Sequence, residues 1–210
     1  MLLRHKVAIV TGGDSGIGRS IAVGLAQAGA AVTVNYHSDR PAAEEVERDI
    51  VAAGGRALIV QGDVSKVADI QHIIDQTVTT FGRLDVMVNN AGMETRTSVH
   101  EDWPMPGNIP YCCAKGGVRM LTRTAGVELG PRGITVVGVG PGAVDTPINK
   151  LTLANPAEKA ALDKAIPLGR VAEPSEIAGL VIWLASDEAR YVTATTYFVD
   201  GGIMQSSVGL

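Results

Sequence analysis

Cysteine is nearly absent from this sequence: of 210 residues only Cys112 and Cys113 are cysteines, and adjacent residues do not close a disulfide of ordinary geometry. A disulfide-stapled secreted scaffold is excluded, and the chain reads as a reduced, cytoplasmic protein. Aromatic residues are scarce at 4%, and charge of one sign is missing, since Lys+Arg 18 against Asp+Glu 22 leaves −4. With no basic field to hold a phosphate backbone, no nucleic acid is expected as a partner. Long apolar runs are lacking too: the most apolar helical stretch, residues 177–185, falls well short of the roughly 20 residues that cross a bilayer. No membrane partner is expected. Val7-Ala8-Ile9-Val10 follows Met1 so closely that no secretory leader is expected either. The histidines at 5, 37, 72 and 100 share no ligand spacing, so no metal is expected.

What the chain does have is apolar residues at 46% and Gly 25, the latter about 12% against an ordinary frequency of roughly 7%. The glycines fall in discrete loops, which points to several close backbone approaches. Short β-branched runs alternate with helical periodicity, the pattern of a parallel sheet with crossover helices. Strands are expected at 7–10, 31–35, 57–61, 84–90, 134–138 and 196–199. Between the first two, Ile17, Ile21, Leu25 and Ala28 recur at helical spacing before Gly29. Asp39 and Pro41 open a second helix that Gly54-Gly55 ends, and Ser65 is the expected cap of a third carrying Ile70, Ile74 and Val78. Residues 111–129 and 175–185 supply two more helices, and 149–167 reads as a loop over the cleft without diagnostic chemistry. With no repeat and no linker, residues 1–210 read as a single α/β domain: a doubly wound, Rossmann-like parallel sheet in three α/β/α layers.

The first strand runs into Thr11-Gly12-Gly13-Asp14-Ser15-Gly16-Ile17-Gly18 and then a helix. Glycines at 12, 16 and 18 let the backbone turn tightly and approach a pyrophosphate at the helix N-terminus, although a tight turn needs glycine on steric grounds alone. The second strand ends at Asn35, where an acid would take the ribose hydroxyls of NAD. Asn35 is neutral, Asp14 and Asp39 lie near in sequence, and His37 and Arg40 follow, so NAD and NADP both stay open. Further on, Tyr111-Cys112-Cys113-Ala114-Lys115 sets a phenol and an ammonium four residues apart on one helical face. A phenol titrating near ~10 is a poor base at neutral pH, and an adjacent cation favours the phenolate. Such a pair suits removal of an alcohol proton while hydride leaves carbon.

Taken in order, residues 11–18, Gly62-Asp63-Val64, Asn89-Asn90-Ala91-Gly92, residues 111–115 and Pro141-Gly142-Ala143-Val144-Asp145-Thr146 resemble the classical short-chain dehydrogenase/reductase family over nearly the whole chain. Ser98-Val99-His100-Glu101, Thr146-Pro147-Ile148-Asn149 and Phe198-Val199-Asp200-Gly201-Gly202 look like its glucose 1-dehydrogenase branch. The resemblance implies that Tyr111 is the acid/base, that Lys115 holds the nicotinamide ribose and assists Tyr111, and that Ser98, thirteen positions before Tyr111, binds the reacting oxygen. Gly12, Ser15, Gly16, Ile17, Gly18 and Asn35 are then expected on the cofactor, with Asp63 and Val64 at the adenine. Asn90, Ala91 and Gly92 are expected along the cleft, and Pro141, Gly142, Val144 and Thr146 at the nicotinamide.

One part of the family pattern is missing. After Gly92 the family continues through a long helix with a catalytic asparagine and then a central strand, whereas here only residues 93–97 precede Ser98. One central helix-strand unit is expected to be absent, as a true deletion or because the polypeptide carries further residues between Gly92 and Val99, and neither Asn89 nor Asn108 takes the asparagine's place in the motif order. Strand 84–90, helix 111–129 and strand 134–138 are expected to close up into a shorter right-handed βαβ unit. The expected activity is oxidoreduction of an alcohol/carbonyl pair of a small-molecule substrate with NAD or NADP, a sugar such as glucose at C1 being the leading candidate. A 3-oxoacyl or ketone reductase, or a catalytically impaired cofactor-binding scaffold, are the alternatives. A homo-oligomer, dimer or tetramer, is expected.

Overall fold

A computed structural model describes residues 1–92 and 109–205. Ser98, His100, Glu101 and Asn108 lie outside the described residues. The chain divides into two units, Met1–Met93 with Ala178–Asp187, and Glu94–Ile177 with Glu188–Leu210.

The first unit is built on β1 (Val7–Val10), β2 (Ala31–Tyr36), β3 (Arg56–Gln61) and β4 (Val86–Val88), all parallel in the order β3-β2-β1-β4. Every residue of β1 and β2 is buried, as continuous apolar strands are when helices cover both faces. Because side chains alternate across a strand, Ala8 and Val10 join one core with Ile21, Leu25, Val32, Val34, Val46 and Ile50. Ile9 points the other way, to Val60 and Ile73. Helices α1 (Gly16–Gln27), α2 (Arg40–Ala52) and α3 (Val67–Phe81) link the strands. Gly29, Gly54 and Gly82, at φ 108, 80 and 83, mark the ends of the three.

Asp39 caps α2 as expected, its carboxylate accepting the Ala42 N–H at 3.0 Å. Ser65 does not cap α3. Its N–H and hydroxyl both donate to Asp63 Oδ1, at 2.9 and 2.7 Å, so the side chain is spent upstream and Lys66 stands at the cap without a side-chain bond. Strand β4 is shorter than expected because its flanks bond elsewhere. Asp85 accepts the Val7 N–H at 2.9 Å through Oδ2, and the Asn90 N–H donates to Thr11 Oγ1 at 3.0 Å.

The second unit holds α4 (Ile109–Leu129), β5 (Val137–Pro141), α5 (Lys150–Ala154), α6 (Pro156–Ala165), the start of α7 (Pro174–Leu184) and β6 (Thr195–Val199), with β5 and β6 paired in parallel. Strand β5 begins three residues later than the sequence suggests. Residues 130–132 form a 3₁₀ turn and Gly133 reverses the chain at φ 75. The segment 149–167 is mostly helical instead of a plain loop: Asn155 caps α6 by accepting the Ala157 N–H at 3.1 Å, with Pro156 at the first position. Strand β4 ends the four-stranded sheet of the first unit and β5 pairs with β6 in the second, so the expected β4-α4-β5 unit is not among the sheets of the described residues.

At the start of α7, Arg170 grips Glu176 through two nitrogens at 2.7 and 2.8 Å, and Glu176 Oε2 also accepts the Glu173 N–H at 2.9 Å. These bonds hold the Glu176 carboxyl at about 2, down from the ordinary 4.5. A lowered folded-state value means that the pair contributes above the unfolded carboxyl's titration and is lost as pH falls through about 2. Glu176→Gln is therefore expected to lower stability at pH 6, with the gap to the parent shrinking between pH 4.5 and 2. Urea midpoints across that range check it, and a gap independent of pH rejects the assignment.

Candidate functional site

The glycine loop leaves β1 at Thr11 and enters α1 at Gly16. Gly12 and Gly16 take φ of 57 and 53, a left-handed backbone that side-chained residues seldom adopt. Gly18 is required for space: a Cβ there would lie 2.0 Å from the Gly12 carbonyl oxygen and 2.5 Å from Asn90 Nδ2. Ser15, exposed and extended, occupies the cap of α1 without a side-chain bond, and no acid stands in the first turn. Helix α2 fills its own start with Asp39, while α1 presents its first N–H groups to whatever lies beyond them. Ile17 packs on the core beneath.

Two distant residues hold this loop. Asn90 Nδ2 donates to the carbonyls of Thr11 and Gly12 at 2.9 and 3.0 Å, and Thr11 Oγ1 accepts the N–H groups of Asn90 and Ala91, each at 3.0 Å. Asn90 and Ala91 thus clamp the end of β4 to the loop, and exposed Gly92 follows. Asn35 is 2% exposed. Its amide donates to the Gly62 and Val60 carbonyls at 3.1 and 3.3 Å while Oδ1 accepts the Gly12 N–H at 3.4 Å. Its polar atoms thereby tie β2 to β3 and steady Gly12. The Ser65 hydroxyl and N–H keep the Asp63 carboxyl below the usual carboxylate range, with Lys66 and His37 adding to the effect. The Asp63 N–H is taken by Asp69 Oδ2 at 2.9 Å, a partner that sequence reading missed. Burial pushes the Asp14 carboxyl up, and Asp39 adds to it.

Val64, Thr11, Asn89 and Ala91 also line a cavity of about 200 Å³ with Ile70, Ile73 and Met87. Thr11, Val64, Asn89 and Ala91 come from the quoted motifs, while Ile70 and Ile73 of α3 and Met87 of β4 complete the wall without any motif to announce them.

In the second unit, half-buried Tyr111 and Lys115 share one face of α4, and Lys115 Nζ lies 5.5 Å from the Tyr111 ring centroid. That is cation–π range. Pro141 ends β5. Gly142 is buried, its N–H donating to the Val199 carbonyl at 2.9 Å, and a Cβ there would sit 2.5 Å from Asp200 Cα. Val144 is 2% exposed, and its carbonyl accepts the Asn149 amide at 2.8 Å. Thr146 caps the following 3₁₀ turn in an extended conformation. Ser98, the remaining expected catalytic residue, lies outside the described residues. Among the described residues, no cluster of three metal-ligating side chains occurs, and no helix is long and apolar enough to cross a membrane.

Residues 6–103 match the family model described as short chain dehydrogenase, and residues 95–204 match that described as Enoyl-(Acyl carrier protein) reductase. The 3beta-hydroxysteroid dehydrogenase 1 of Eggerthella lenta is 37% identical over 246 positions, covering 96% of this chain and 94% of the relative. Glucose 1-dehydrogenase 2 of Bacillus subtilis is 34% identical, covering 96% and 95%. A solved short-chain dehydrogenase/reductase of Serratia marcescens superposes with a TM-score of 0.88 at 31% identity, covering 97% of this chain and 99% of that one. The chain belongs to the short-chain dehydrogenase/reductase family and is an NAD(P)-dependent enzyme of that class. Against 246 aligned positions the chain has 210 residues, so at least 36 positions of the Eggerthella relative have no counterpart here. In size the shortfall agrees with the one helix-strand unit expected to be absent.

Proposed function

We propose that the chain interconverts an alcohol and a carbonyl with NAD or NADP, a sugar such as glucose at C1 being its leading substrate. The observation that carries this reading is Lys115 above the Tyr111 ring, the pair that oxidation of a hydroxyl needs. A dinucleotide fits the glycine loop: two left-handed glycines, an uncapped helix start and a Gly18 without room for a methyl together form an anion cradle. The nicotinamide, when bound, accepts or donates the hydride. Gly12, Ser15, Gly16, Ile17 and Gly18 hold the pyrophosphate, Asn35 positions Gly12, and Asp63 and Val64 take the adenine end. Asn90, Ala91 and Gly92 flank the cofactor, with Pro141, Gly142, Val144 and Thr146 toward the nicotinamide. Tyr111 takes the hydroxyl proton on its phenolic oxygen, Lys115 stabilises the phenolate and Ser98 orients the reacting oxygen. A homodimer or homotetramer is the proposed assembly, to be read by light scattering.

Fluorescence titration with NADH and NADPH is the first test, and absence of binding of either at millimolar concentration ends this reading. Glucose, a steroid alcohol and a 3-oxoacyl thioester, followed at 340 nm, then separate the substrate classes. Binding of cofactor with no turnover of any of them selects the second reading, an impaired cofactor-binding scaffold, which the missing helix-strand unit favours.

Cofactor choice has a handle at the start of α2. A 2′-phosphate belongs near the tip of β2 in this fold, where Asp39 stands and where Arg40 is already paired with Glu44 at 2.8 Å. Asp39→Asn keeps the helix cap and removes one negative charge. It is expected to raise the NADPH affinity relative to NADH by roughly fivefold. An unchanged ratio rejects the placement of the 2′-position.

A further inference from the structure

Cys112 and Cys113 are the only cysteines in the chain, and both are free. They lie on the turn of α4 that also carries Tyr111 and Lys115, with Cys112 half-buried and Cys113 exposed. Their Cα atoms, as neighbours across a trans peptide, are about 3.8 Å apart, below the roughly 4.4–6.8 Å that disulfides span. With the helix unbroken through both residues, a direct S–S bond is closed to them. A third atom inserted between the sulfurs removes that limit. Among the described residues the flank is open as well: Gly116 and Gly117, three and four residues beyond Cys113, would each carry a methyl with no described atom within 4 Å.

We propose that Cys112 and Cys113 form a capture site for soft, two-valent thiophiles, with trivalent arsenicals as the ligand class. Two neighbouring thiols suit such a centre because thiolate sulfur is a soft donor and the second S–As bond closes a ring without help from another residue. With an arylarsenic oxide the balance is simple. Two S–As bonds form, the arsenic–oxygen bond breaks, and both thiol protons leave with that oxygen as water. Arsenic stays trivalent, and no electrons are transferred. The adduct places an aryl group on the turn that holds Tyr111 and Lys115, so capture stops turnover. That consequence for turnover rests on the proposed function, whereas capture itself does not.

Phenylarsine oxide is the probe. Intact mass is expected to show one adduct per chain with loss of both free thiols. The adduct is expected to survive 2-mercaptoethanol and to be released by 2,3-dimercaptopropanol. On the unaltered chain it is expected to protect both cysteines from carboxymethylation, a readout that needs no variant. Cys112→Ser and Cys113→Ser are each expected to bind the probe in a form that monothiol strips. Absence of an adduct, release by monothiol from the unaltered chain, or dithiol-only release from either single variant overturns the proposal. None of these outcomes depends on whether the chain turns over a substrate.

Discussion

Gly18→Ala is expected to abolish measurable binding of both NADH and NADPH. The added methyl would lie 2.0 Å from the Gly12 carbonyl oxygen and 2.5 Å from Asn90 Nδ2, separations that no rotamer change relieves because the first partner is backbone. The loop must move, and moving it separates Asn90 Nδ2 from the carbonyls of Thr11 and Gly12. Each carbonyl left without a donor away from water costs about 1–3 kcal/mol, so a lower melting temperature is expected with the binding loss. Gly179→Ala on α7 is the control, since its methyl meets nothing among the described residues within 4 Å. It is expected to keep cofactor binding and to gain about 0.5–1 kcal/mol from helix propensity. Cofactor titration and thermal melts of the two variants side by side decide the matter. Gly18→Ala with parental affinity would remove the pyrophosphate assignment.

Tyr111→Phe is expected to remove turnover altogether while leaving cofactor affinity within twofold of the parent. The substitution deletes the phenolic oxygen alone and keeps the ring under Lys115. General acid–base groups contribute roughly 10²–10⁴ in rate, enough to bring the variant to background. The parent is itself expected to be slow on glucose. The resemblance implies that the helix-strand unit carrying the family's relay asparagine is absent from a 210-residue polypeptide, and misplacement of about 1 Å costs roughly a hundredfold. NAD(P)H formation at 340 nm, on protein whose intact mass matches 210 residues, measures both expectations. Full family-like turnover from that material would show that the missing unit is dispensable or that a partner subunit supplies it. Residual activity in Tyr111→Phe equal to the parent's would take the proton from another residue.

Much of this molecule follows from short-range rules. The buried runs of β1 and β2, the Asp39 cap, the left-handed glycines at 12, 16, 29, 54 and 82, and the i, i+4 meeting of Tyr111 and Lys115 each depend on neighbours a few residues away. Such local preferences are legible in a sequence because the interacting groups are held close by the chain itself. That the chain is shorter than its relatives was legible as well, through the order of motifs around Gly92.

Tertiary structure decided the rest. Asn35 is neutral at a strand tip in the sequence, yet its amide reaches Val60 and Gly62. Thr11 and Asn90 clamp the loop across 79 positions. Ser65, a plausible cap, turns to Asp63, and Asp69 takes the Asp63 N–H. Buried amides and hydroxyls must be paired, and a hydroxyl with two candidate partners goes to whichever the packed chain brings within about 3 Å. That choice depends on where β3 and β4 lie against β1, a fact of packing that no window along the sequence contains.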